Sequence, residues 1–68
     1  MNKFSIRLRD LRIEKKLKQK DVADAIGVTV RAISNYEAGI REPSFDVLLT
    51  LCSYFDVSAD YLLGRTDY

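Results

Sequence analysis

The sequence of 68 residues contains no histidine, one cysteine, one proline and three glycines, and each scarcity removes a class of function. Without histidine the chain lacks the usual general base at neutral pH. With Cys52 alone there is no internal disulfide and no cysteine-built metal cluster. Cys52 also falls in an apolar helical run, where a buried thiol stays protonated and inert. No segment approaches the roughly 20 apolar residues that span a bilayer, and Met1 to Arg7 has no apolar block of the kind a secretory leader carries. The expectation is a cytoplasmic protein that is not an enzyme, needs no cofactor or metal, and does not enter a membrane.

A chain this short buries only about 60% of its unfolded surface and sustains one core, so residues 1–68 are read as a single domain. Hydrophobic residues make up 47% of it and charged residues 31%, a balance that suits a packed globule rather than a disordered segment. The net charge of +1 conceals a division: residues 1–31 carry nine Lys and Arg against four Asp and Glu, whereas residues 32–68 carry two against six. A basic half of this kind fits either a nucleic-acid face or a solvated basic helix.

Apolar spacing and punctuation give five helices and no strand. Phe4, Leu8 and Leu11 recur at helical spacing between basic residues, which predicts an amphipathic helix running to about Lys16. A second helix, Gln19 to Ile26, stops at Gly27. Thr29 then offers a hydroxyl cap to a third, from Val30 to about Ala38, which Gly39 ends. After the loop through Pro43, Ser44 caps a fourth helix that carries Phe45, Leu48, Leu51, Cys52 and Phe55, and Ser58 caps a short fifth that ends at Gly64.

Two short helices joined around a glycine have the spacing of a helix-turn-helix over about residues 19–38. Ala23 is small where steeply crossed helices must approach, and Val22, Ile26, Val28, Ile33 and Tyr36 supply an apolar seat. The run from Gln19 to Gly39, the segment Arg41-Glu42-Pro43-Ser44 and the ending Val57 to Gly64 together resemble the phage repressor Cro/cI family, also called the xenobiotic-response-element (XRE) family. The resemblance covers nearly the whole chain. It implies an all-α, five-helix, lambda-repressor-like DNA-binding domain that regulates transcription, with a repressor favoured.

The resemblance implies that the third helix enters the major groove of double-stranded DNA, with base contacts from Thr29, Val30, Arg31, Ser34 and Asn35. Arg31 suits a bidentate pair with guanine, Asn35 an adenine or a phosphate, and Val30 a thymine methyl; the alternative for Arg31 is a solvated surface charge. The family often has a polar residue where Val30 stands, so apolar contact or packing replaces hydrogen-bonded readout there. Phosphate contacts fall to Lys18, Gln19, Lys20, Gly39 and Arg41, with ordinary turn chemistry as the alternative. The family usually has a serine or threonine cap where this chain has Lys18, which weakens the start of the second helix and adds a charge near DNA. Arg12 and Glu37 match two positions that pair as a structural salt bridge.

One small domain reads too few base pairs to be selective, so a homodimer on a pseudo-palindromic operator is expected; the resemblance implies an interface in the fifth helix and C-terminal tail, with Tyr61, Leu63 and Tyr68. A plain core role is the alternative for Tyr61. A reading of another class is an antitoxin-like interaction module that uses the same fold to hold a protein partner.

Overall fold

The computed structural model describes residues 2–68. It consists of α1 (Lys3–Glu14), α2 (Gln19–Ile26), α3 (Val30–Ala38), α4 (Phe45–Phe55) and α5 (Ala59–Leu62), with no strand among the described residues. The apolar positions of all five close on one core. Leu8, Val22, Ile33, Leu51 and Leu62, one from each helix, are completely or almost completely withdrawn from solvent. The Phe4 and Tyr36 rings meet edge to face across α1 and α3, 6.2 Å between centroids.

Four helices begin with a side-chain cap. Asn2, Thr29, Ser44 and Ser58 each accept a backbone N–H from three residues ahead, at Ser5, Ala32, Val47 and Tyr61. α2 begins differently. Lysine offers no acceptor, but the Asp21 carboxylate reaches back and accepts the Lys18 backbone N–H at 2.8 Å, which supplies one arm of a capping box.

All five helices end alike. The residue two beyond a left-handed residue's predecessor turns its N–H back to the carbonyl five positions earlier: Leu17 to Arg12, Val28 to Ala23, Ile40 to Asn35, Val57 to Cys52 and Arg65 to Asp60. The left-handed residues are Lys16, Gly27, Gly39, Asp56 and Gly64, with φ between 55° and 82°. The chain's three glycines are therefore all spent on stopping helices, and two stops are made without one. Leu17, Val28 and Val57, each directly after such a residue, fold back onto the core. The first stop differs from the expected end near Lys16: α1 closes at Glu14, because Lys16 already adopts the left-handed conformation at φ 59°.

The C-terminal segment is held down by α1. Arg7 lies over the Tyr61 ring, 4.3 Å from its centroid, and donates to the carbonyl oxygens of Tyr61 and Thr66. No helix among the described residues is long and apolar enough to cross a membrane.

Candidate nucleic-acid interface

α3 divides cleanly by burial. Ala32, Ile33, Tyr36 and Glu37 face the protein, while Thr29, Val30, Arg31 and Ser34 are exposed and Asn35 is half-buried. This division follows from helical spacing: positions 29, 30, 31 and 34 fall between the inward stripe of 32, 33 and 36. Thr29 also caps the helix, its hydroxyl accepting from the Ala32 N–H at 3.0 Å. Val30 is 43% exposed and so is not a core residue.

The turn before α3 depends on Gly27. Its φ of 77° is open to glycine without steric cost, whereas an L side chain there costs about 1 kcal/mol even though nothing lies within 4 Å of where its Cβ would be.

The side chains expected to meet phosphate are arranged unequally. Lys18 is exposed. Lys20 is also exposed but reaches Asp24 one turn ahead at 2.7 Å, and that hydrogen bond lifts its ammonium above the usual lysine range. Such an exposed pair contributes under about 1 kcal/mol, so Lys20 is easily released to another anion. Arg41 lies over the Tyr36 ring at 5.8 Å, close to half-buried Gly39. Gln19 is half-buried, and its Nε2 donates to Glu37 Oε1 at 3.3 Å.

Arg12 and Glu37 form a bidentate pair. Nε donates to Oε2 at 2.7 Å and Nη2 to Oε1 at 2.9 Å, with the two side chains 15% and 6% exposed. The Arg12 Nη1 donates to the Leu17 carbonyl at 2.9 Å, so one guanidinium ties α1 to α3 and to the turn leading into α2. The hydrogen bond to Glu37 raises the Arg12 pKa further above neutrality, against the opposing effect of burial.

Of the three residues expected at a dimer interface, Tyr61 and Tyr68 share one groove and Leu63 lies in another. Leu63 lines a groove with Phe4, Pro43, Phe45 and Leu48. Tyr61 and Tyr68 line a different one, with Leu11 and Val57 at its floor and Glu14, Asp56 and Asp60 at its edge. Tyr61 is half-buried under Arg7, whereas Tyr68 is 92% exposed. Phe45, at 85% exposure, and Leu49 one turn later were not singled out from sequence, because their spacing merges with the core stripe of α4. The Asp21 cap, the Lys20–Asp24 pair and the Gln19–Glu37 contact were also missed; the first two have the i to i+3 and i to i+4 spacing that marks such contacts.

Comparison with known proteins places this geometry. The helix-turn-helix family HTH_3 matches residues 8–62. An uncharacterised HTH-type transcriptional regulator of Bacillus subtilis, YqaE, is 45% identical over 60 residues, 88% of this chain and 52% of its own length. The cryptic phage CTXphi transcriptional repressor RstR of Vibrio cholerae is 37% identical over 64 residues, 94% of this chain and 58% of its own. The chain thus spans little more than half the length of these relatives. Among solved structures, the P22 c2 repressor protein in complex with synthetic operator 9T superposes with a TM-score of 0.89 at 32% identity, covering 97% of this chain and all of that one. With a matching five-helix fold and a family match over most of its length, the chain belongs to the XRE-type helix-turn-helix family of Cro/cI-like repressor domains.

Proposed function

We propose that this chain binds double-stranded DNA through α3 and regulates transcription, as a repressor. The observation that carries the reading is the exposed face of α3: Thr29, Val30, Arg31 and Ser34 face solvent while the opposite face is locked by Ile33, Tyr36 and Glu37. A helix held rigidly on one side and bare on the other can enter a major groove without disturbing the core. Arg31 reads guanine by paired donors, Asn35 pairs with adenine or a phosphate, Val30 packs on a thymine methyl, and Thr29 and Ser34 add hydroxyl contacts. Lys18, Gln19, Lys20, Gly39 and Arg41 flank the helix and supply phosphate contacts. The P22 c2 repressor, solved on an operator, and RstR, named a repressor, support this choice.

The operator is a pseudo-palindrome bound by a homodimer. The longest dimension of one copy is 27 Å, short of the roughly 34 Å that separates successive half-sites on one face of DNA. Two copies are required, and the groove lined by Phe45 and Leu63 is the apolar area best placed to join them, because Tyr61 is already engaged by Arg7.

Selection of bound sites from a random DNA pool, followed by titration of the recovered site, tests the reading. Arg31→Ala is expected to lose about 1–3 kcal/mol at one base position and to relax preference there. Unchanged affinity and preference in a folded Arg31→Ala variant would remove α3 as the reading element. Co-purification with a second polypeptide and no DNA affinity at low salt would favour the interaction-module reading instead.

A further inference from the structure

We infer that Glu37 is a positioning residue that presents the Gln19 side chain to a DNA phosphate; this rests on the DNA-binding reading above. Glu37 is buried near the end of α3 and has no path to DNA of its own. Its Oε1 accepts from Arg12 Nη2 at 2.9 Å and from Gln19 Nε2 at 3.3 Å, while Oε2 takes Arg12 Nε at 2.7 Å. The longer contact is that of the third donor around a carboxylate already committed to a bidentate guanidinium.

The chemistry of that third contact fixes an orientation. A glutamine amide has two nearly isosteric ends, one donating and one accepting. An ionised carboxylate only accepts, so Gln19 must turn its nitrogen toward Glu37. The nitrogen carries two hydrogens; Glu37 takes one, and the other has no protein acceptor among the described residues. Gln19 is the first residue of α2 and lies between exposed Lys18 and Lys20. An anion arriving there meets an N–H held in place at a helix start next to exposed Lys18. An amide free to rotate would present its oxygen for part of the time and repel the phosphate.

Arg12 completes the device. Its two bonds hold the carboxylate, and its third, to the Leu17 carbonyl, anchors the turn immediately before Lys18. The end of α3 and the start of α2 are thereby set against each other through side chains that do not reach DNA.

The test is a double-mutant cycle in DNA affinity, with thermal unfolding of each variant to fix conditions under which it is folded. Gln19→Ala is expected to weaken binding about tenfold, the size of one hydrogen bond to a charged group. Glu37→Asp retains the charge opposite Arg12 but withdraws it from Gln19; it is expected to lose most of that tenfold, and Gln19→Ala should then add less than about twofold on top. Glu37→Gln is the second variant, and its amide no longer enforces the orientation. In the free wild-type protein, NMR should find one of the two Gln19 Nε2 hydrogens shifted downfield and slowed in exchange, and this signature should vanish in Glu37→Asp. Additive losses in the cycle, or a Gln19 amide with free-chain shifts in the wild-type protein, would overturn the inference. Wild-type protein that keeps the NMR signature but binds no DNA would overturn the proposed function instead, and with it the phosphate role of Gln19.

Discussion

Arg12 and Glu37 meet through two parallel hydrogen bonds at a site where both side chains are largely withdrawn from water, 25 positions apart in sequence. Breaking such a pair from one side leaves a charge without its partner. Arg12→Ala or Glu37→Ala should therefore cost about 3–5 kcal/mol of unfolding free energy, whereas an exposed pair such as Lys20–Asp24 should cost under about 1 kcal/mol when broken. Urea unfolding of the variants measures both. A loss below about 1 kcal/mol at Arg12 would show that the site is wetter than its burial implies.

Under the proposed phosphate role, Lys18 sets stability and binding against each other. It occupies a cap position that its side chain cannot serve, and it is exposed beside the start of α2. Lys18→Ser should raise stability by about 0.5–1 kcal/mol. The same change should weaken DNA binding and reduce the slope of log affinity against log salt by about one unit. Asp21→Ala, which removes the only side-chain acceptor at that helix start, should cost about 1 kcal/mol. Denaturation curves and salt titrations separate the effects.

Two helices stop without glycine. Lys16, at φ 59°, holds a conformation that costs an L side chain about 1–2 kcal/mol. Lys16→Gly should recover part of that, a net gain of about 0.5–1 kcal/mol after the added freedom of the unfolded chain is counted. Gly27→Ala should lose about 1 kcal/mol for the converse reason. Equal midpoints for Lys16→Gly and the wild-type protein would contradict this.

Dimer formation should respond to one groove and not the other. Phe45→Ser and Leu63→Ser remove exposed apolar surface from a shared groove and should raise the dimer dissociation constant measured by sedimentation, with little change in monomer stability. Tyr68→Ser, on the separate groove, should leave it unchanged.

Burial raises the Cys52 thiol above its ordinary range. As the pH climbs, the unfolded chain's thiol ionises before the folded one, so this group's contribution to stability is complete below the ordinary thiol range and declines above it. Cys52→Ala should remove that part of the alkaline loss, and a thiol reagent should label the native protein far more slowly than the unfolded one.

The helix order was readable because the signals are local. Hydroxyl caps stand before α3, α4 and α5, and glycine follows α2, α3 and α5. The end of α1 was not readable, since nothing in Glu14-Lys15-Lys16 announces that Lys16 turns left-handed. In the candidate interface, the exposed positions of α3 follow from its apolar stripe, and the Arg12–Glu37 pair follows from family resemblance rather than from any local pattern. The Gln19–Glu37 contact and the hold of Arg7 on Thr66 join residues 18 and 59 positions apart, and only the packing of the helices brings them together.

Thr29 differs from its exposed neighbours on α3 in one respect: its hydroxyl is committed to closing the helix start, while Val30, Arg31 and Ser34 make no side-chain hydrogen bond among the described residues. Those three sites are thus open to evolutionary exchange at little thermodynamic penalty, and under the proposed function a lineage acquires a new target by swapping them. Site 29 is confined to the few residue types able to accept that amide, and so its vocabulary stays narrow while the others diversify.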